Sequence, residues 1–297
     1  MKKIIIAIIV IAVIVIGLYF LITNFTGQVD LDDQTNGTVD QTATTTLMNK
    51  PESVLGLSVS GNPIKAYHFG TGTDEVIFVG GIHGGYEWNT VLAVRDIKEY
   101  LQKNPTAVPA NMKVTVIPVL NPDGLAKVVG TTTENFSLTD VSKSDATLTA
   151  GRFNGNNVDL NRNFDCDWQT NAKWQTKNVS GGVAVFSEPE SQAVRDYILA
   201  NSPKGVVVYY SAAGGVFASN CHNGTLPETT TLTDVYATAS GYKAFKEFNF
   251  YETTGDMTNW LAKIGVPSIS ILLTNHTDVE SSKNLAGALA VIKHFTK

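Results

Sequence analysis

A histidine and a glutamate with three residues between them, His83 and Glu87, stand in the stretch Gly80-Gly81-Ile82-His83-Gly84-Gly85-Tyr86-Glu87-Trp88. Imidazole nitrogen and carboxylate oxygen both suit zinc, and a catalytic zinc commonly takes three protein ligands and keeps a fourth position open. Read against an H-x-x-E pattern, the pair is a weak signal alone. The same residues describe a turn histidine followed by an acid in the first helical turn, where the helix dipole favours negative charge. The flanks specify how the pair is presented. Val76-Ile77-Phe78-Val79 is an apolar run that predicts a buried strand, and Val91, Leu92, Val94, Ile97 and Leu101 recur at helical spacing. The stretch is therefore a strand-to-helix turn, and its glycines let the backbone bend sharply.

The rest of the chain bounds what such a turn belongs to. With 297 residues, 43% hydrophobic and 16% charged, the chain can bury a sizeable core. The net charge of -5 and the lack of any basic run beyond Lys2-Lys3 argue against nucleic-acid binding. Ile4 to Ile22 is apolar apart from Gly17 and Tyr19, long enough to span a bilayer, and the lysines ahead of it place the N-terminus in the cytoplasm. Residues 1–23 are expected to be an uncleaved membrane anchor. The competing reading is a cleaved signal peptide, which would leave the remainder secreted, but Leu21-Ile22-Thr23-Asn24-Phe25 offers no clear small-x-small cleavage site. Residues 24–50, rich in Thr, Asp, Gln, Asn and Gly, read as a flexible linker that cannot offset its own ordering entropy. The folded domain is expected over 51–297. Cys166 and Cys221 both fall in the external portion, where they are either a disulfide or two buried thiols.

Within the domain, Val54–Val59 and Ile64–Phe69 flank the turn residues Ser60-Gly61-Asn62-Pro63 and predict a hairpin. A helix is expected from Trp88 to Gln102, a strand from Met112 to Leu120, and a turn at Asn121-Pro122-Asp123-Gly124. Leu125 to Glu188 carries little regular pattern, and a segment of that kind inside a compact domain is usually functional. Helix Pro189–Ala200, strand Gly205–Ser211, helix Asp256–Ile264, strand Pro267–Leu273 and helix Asn284–Phe295 complete the pattern. Val- and Ile-rich strands alternating with helices argue an α/β domain on a largely parallel sheet, whose ligands bind at the carboxyl ends of the strands. His83, Ser211 and Thr274, each just after a strand, are expected to converge there.

These pieces, in this order, resemble the zinc metallocarboxypeptidases of the carboxypeptidase A/B type. The resemblance runs from Val54 to Phe295 through Gly81–Glu87, Asn121–Gly124, Arg152–Phe164, Phe186–Glu190, Tyr251–Trp260 and Gly265–Asp278. It implies an α/β fold with a mixed, largely parallel eight-stranded sheet flanked by helices, here behind one N-terminal transmembrane helix. Carried over position by position, it makes His83 and Glu87 the first two zinc ligands. Asp159 is the carboxylate that orients the histidine, which suits the way a second acceptor fixes an imidazole's tautomer. Arg152 polarises the scissile carbonyl, a large catalytic term where such donors exist. Asn161 and Arg162 hold the substrate's C-terminal carboxylate, which a planar guanidinium binds bidentately. Tyr251 covers bound substrate. Asn157 stands where the family usually has Gly, and Asn too tolerates a left-handed backbone. Thr258, in the specificity-pocket stretch, points to neither a strongly basic nor a large aromatic preference.

Two positions depart from the pattern. The family's third zinc ligand is a histidine at the end of a strand, and the matching residue here is Tyr210. Its general base is a glutamate near the end of the last strand, and the matching residue is Leu272. Losing a general base costs ~10²–10⁴-fold in rate, and even an outer-shell change around a metal costs ~10–100-fold, so together the substitutions imply a deficit on the order of 10⁴-fold or more. A Tyr210 phenolate is a costly replacement ligand given its ordinary pKa. His222 and His276 read as loop histidines. The sequence thus suggests a membrane-tethered, extracytoplasmic carboxypeptidase-like protein that binds a peptide or cell-wall peptide C-terminus, with weak or absent zinc and little hydrolysis. The alternative is an active carboxypeptidase with an atypical ligand set.

Overall fold

The structure is a computed structural model that describes residues 51–296. The anticipated anchor (1–23) and linker (24–50) lie outside the described residues. Ten strands and seven α-helices are present over the described span: β1 (Glu52–Leu57), β2 (Pro63–Phe69), β3 (Asp74–Val79), α1 (Trp88–Lys103), β4 (Met112–Ile117), α2 (Pro122–Val129), α3 (Asp145–Ala150), β5 (Asn171–Trp174), β6 (Lys177–Ser180), α4 (Pro189–Asn201), β7 (Gly205–Ser211), β8 (Gly215–Ala218), α5 (Pro227–Ser240), β9 (Lys243–Phe245), α6 (Met257–Lys263), β10 (Ser268–Leu273) and α7 (Ser281–His294).

Eight strands form one mixed sheet in the order β1-β2-β4-β3-β7-β10-β8-β9, and β5 with β6 forms a separate hairpin. β4, β3, β7 and β10 run parallel, so their carboxyl ends share one edge. The predicted hairpin β1–β2 adds antiparallel to one side, and β8 returns antiparallel beside β10. The two sheet faces carry different cores. Val207, Tyr209, Ile269 and Ile271 pack with α1, α5 and α7 residues such as Ile97, Leu232 and Val291. On the opposite face Val206, Val208, Tyr210 and Leu272 pack with Val194 and Ile198 of α4 and Trp260 and Leu261 of α6. This alternation along β7 and β10 is the period-2 rule of strands buried on both sides. It decides that Tyr210 and Leu272 face the same way.

Sequence patterning located most elements within a few residues. It missed α5, β8 and β9, and it misread two places. Asn121-Pro122-Asp123-Gly124 opens a helix instead of only ending a strand. The Asn121 side chain accepts from Gly124 N–H and Pro122 fills the first helical position, so turn chemistry here is helix-start chemistry. Leu125–Glu188 contains α3 and the β5–β6 hairpin, elements too short to show a period. Cys166 and Cys221 form a disulfide with Cα atoms 6.3 Å apart.

Candidate active-site cleft

One cleft of about 480 Å³ opens at the carboxyl ends of β3, β7 and β10, and its lining includes His83, Glu87, Arg152, Asn161, Arg162, Tyr210, Tyr251 and Leu272. Every residue that the family resemblance gives a metal, catalytic or carboxylate role lines it, and Asp159 lies directly behind, fully buried.

The turn after β3 presents the first two donors. Three residues separate His83 from Glu87, one more than in H-x-x-E. The one-turn 3-10 segment Gly84–Glu87 takes up the extra residue, with Gly84 at φ 45°. A Cβ at Gly84 would stand 2.7 Å from both Gly124 C and Gly151 O, so glycine there lets α2 and the loop before Arg152 close onto the turn. His83 Nδ1 and Glu87 Oε2 stand 3.0 Å apart, yet neither atom makes a hydrogen bond. Both side chains are buried, where unpaired polar atoms are rare. Two donors converging in this way fit two ligands of one small cation.

Behind them, His83 Nε2 faces Asp159 Oδ1 at 3.4 Å, and Arg152 Nε donates to Asp159 Oδ2 at 2.8 Å. Burial alone would raise the Asp159 carboxyl, but the Arg152 guanidinium, with His83 and Arg162, more than reverses it and holds the group well below the usual carboxylate range. Arg152 is clamped between Asp159 and the Trp174 ring, 4.4 Å away, which the β5–β6 hairpin brings to the cleft. Asn157 adopts φ 60°, the left-handed backbone anticipated for it.

Asn161 and Arg162, the pair expected to hold a carboxylate, are fixed by their own hydrogen bonds. Arg162 Nε donates to Lys173 O at 2.8 Å and Nη1 to Asn161 O at 2.5 Å, while Nη2 has no partner. Asn161 Oδ1 accepts from Met257 N–H at 3.0 Å and from the Tyr210 hydroxyl at 3.1 Å, and Nδ2 donates to Asp256 at 2.7 Å. The backbone donor fixes which way the amide faces. Tyr251 closes one wall beside Phe248.

The third corner differs in kind. The Tyr210 ring lies 5.7 Å from that of His83, but its hydroxyl is committed to Asn161. Burial, with the nearby Asp256 and Glu87 charges, raises its pKa well above the ordinary phenol value, so it stays neutral. Tyr210 and Leu272 are register partners on the adjacent parallel strands β7 and β10, so the two substitutions sit side by side. Among the described residues, the one set of three His, Cys, Asp or Glu side chains with ligand atoms in mutual reach is Cys166, Cys221 and His222, and both cysteines there are held in the disulfide. His83 and Glu87 therefore fit as half of a zinc site, but the residues around them do not complete it.

Four further residues complete the comparison with the sequence reading. Thr274 does not join the cleft: its N–H and hydroxyl both donate to Glu280 on the exposed side. His276, read as a loop histidine, lines the cleft, with its ring 4.8 Å from Tyr86 and Nδ1 2.8 Å from the Ser211 hydroxyl. Burial lowers its pKa. His222 is an exposed loop histidine beside Asp167, as anticipated. Asp256 passed unnoticed in the sequence because a helix N-cap, which it also is, needs no other reason to be Asp.

The fold is that of a zinc carboxypeptidase. The sequence model of the zinc carboxypeptidase family matches residues 49–277, and the chain belongs to that family. Among its relatives, a gamma-D-glutamyl-L-diamino acid endopeptidase 1 of Lysinibacillus sphaericus is 24% identical over 71% of this chain. Mast cell carboxypeptidase A of Mus musculus is 26% identical over 74%. The matched part is 57% of the length of each of these relatives. Of solved structures, bovine thrombin-activatable fibrinolysis inhibitor superposes with a TM-score of 0.65 at 17% identity, covering 88% of this chain and 97% of that one. The murein-tripeptide amidase MpaA of Escherichia coli O157 gives 0.57 at 20% identity, covering 84% and 94%. At such identities the superpositions speak for the fold alone.

Proposed function

We propose that this domain is a carboxypeptidase-fold receptor for the carboxylate end of a peptide, in which zinc-dependent removal of the terminal residue is lost or strongly reduced. One observation carries the reading. The corner where the family's third ligand and general base belong holds a neutral phenol bonded to Asn161 and, beside it in register, the apolar Leu272. Zinc held by His83 and Glu87 alone lacks a third protein ligand, and no carboxylate stands at the Leu272 position to take a proton from water. The binding half is intact. Arg162 Nη2 is unpartnered in the cleft, and Arg152 is held firmly at its wall.

The setting is part of the proposal. Lys2-Lys3 ahead of Ile4–Ile22 supports a membrane anchor with the domain on the extracytoplasmic side, or a secreted domain if the segment is cleaved. A disulfide suits that compartment. The name of the Lysinibacillus relative, a gamma-D-glutamyl-L-diamino acid endopeptidase, supports a peptide that carries a diamino acid as ligand.

Tyr210→His together with Leu272→Glu tests this. The wild-type protein, purified without chelators, is expected to hold well under one zinc per chain. The double variant is expected to approach one, with peptidase turnover rising by roughly 10²-fold or more. Stoichiometric zinc and ready turnover in the wild-type protein would instead identify an active enzyme with an atypical ligand set.

A further inference from the structure

Two buried charged side chains in the cleft make no direct ion pair. The ion pairs there join His83, Glu87, Arg152 and Asp159. Among the described residues neither Arg162 nor Asp256 takes part in one. Arg162 is 1% exposed and meets only the carbonyls of Lys173 and Asn161. Asp256 is 7% exposed, and its carboxylate receives only neutral donors: Asn161 Nδ2, the Thr258 hydroxyl and the Asn259 N–H. A buried charge left uncompensated is costly, so each marks a place where a ligand of opposite charge gains.

The two charges are close and share one residue. Arg162 Nη1 donates to the Asn161 carbonyl, and the Asn161 amide donates to Asp256. The backbone of Gly255, just before Asp256, lies against that of Arg162, since a Cβ on Gly255 would meet Arg162 O. The surface beside them is small and polar, with Thr258 and Ser270 hydroxyls 3.1 Å apart and Ala213 and Ala218 on the walls.

We infer that the cleft recognises an amino-acid zwitterion, with the carboxylate on Arg162 and a primary ammonium on Asp256. This rests on the carboxylate-site reading above and adds the second charge. An ordinary peptide C-terminus supplies the carboxylate, but its α-nitrogen is locked in an amide. A zwitterionic head comes either from a free amino acid or from one joined to a longer chain through its side chain. A diamino acid linked by its distal nitrogen is one such source.

Calorimetric titration of the full-length protein with four probes decides the matter. Nε-acetyl-lysine, a side-chain-acylated amino acid with both head charges, is expected to bind. Nα,Nε-diacetyl-lysine, without the ammonium, and Nε-acetyl-lysinamide, without the carboxylate, are each expected to bind roughly tenfold to a hundredfold more weakly, the usual loss for a hydrogen bond to a charged group. Alanine matching Nε-acetyl-lysine would identify a free amino acid as the source; weaker alanine would identify a side-chain-linked one. Asp256→Asn keeps a good N-cap and an acceptor for its neighbours, and is expected to abolish the preference for the free ammonium while leaving the carboxylate preference. If the diacetyl probe binds as well as Nε-acetyl-lysine and the amide does not, the ammonium assignment is wrong and the carboxylate site stands. If the amide binds equally well, or no probe binds, both readings fall.

Discussion

Tyr210 shows how one side chain can redirect a site. Where the family resemblance leads one to expect a metal-binding imidazole, a phenol bonds to Asn161, one of the pair proposed to hold a carboxylate. Asp159 belongs to the same scale. Its carboxyl is held well below its ordinary value of 3.8, chiefly by Arg152 once burial is overcome. A depressed carboxylate contributes stability that is complete above its unfolded pKa and is lost as pH falls toward the folded value. Asp159→Asn removes that contribution. The stability gap between wild type and variant is therefore expected to be widest near neutrality and to narrow as pH drops below about 4. Urea unfolding at pH 7 and pH 3 measures this, and a gap that widens in acid would refute the assignment.

Among elements, the contact that assembles the site is glycine against glycine. The Gly84 turn, α2 and the end of α3 approach so closely that a Cβ on Gly124 would lie 2.4 Å from Gly151 O and 2.6 Å from Asn121 Nδ2. That approach places Arg152, the residue after Gly151, beside Glu87. Gly124→Ala is expected to cost about 1–3 kcal/mol, as overpacking does, because backbone must move to admit the methyl group. It is also expected to weaken ligand binding by shifting Arg152. Chemical denaturation and calorimetry on the same variant check both effects; unchanged stability would mean the elements have slack that the packing denies.

At the scale of the molecule, the Cys166–Cys221 bridge joins the loop that follows Arg162 to the segment after β8, closing a sequence separation of 55 residues. A loop of that length is worth about 4 kcal/mol in the chain-entropy model. Paired Cys166→Ala and Cys221→Ala substitution is expected to lower the midpoint of thermal unfolding by several degrees without altering zinc content, as calorimetry and metal analysis would show. A change in zinc content would tie the bridge to the metal corner.

Much of the fold was legible in residue order alone. Continuous apolar runs marked β7 and β10, and helical patterns marked α1 and α4, almost to the residue, because a strand buried on both faces is apolar throughout and a helix buried on one face repeats its apolar positions. The ordered motifs around His83, Arg152, Asn161 and Tyr251 pointed to residues that gather in one cleft, and Tyr210 and Leu272 stood out as departures from the family pattern. Other features were not legible because they depend on contacts between residues distant in sequence. Only the folded chain pairs Tyr210 with Leu272, brings His276 into the cleft, and turns the phenol onto Asn161. Only there does Asp256, a helix cap by local sequence, become a buried carboxylate with neutral partners alone, lining the same cleft as Arg162. Sequence specifies the repeat of each element. Burial and charge balance arise only when elements meet, and they decide what the site can hold.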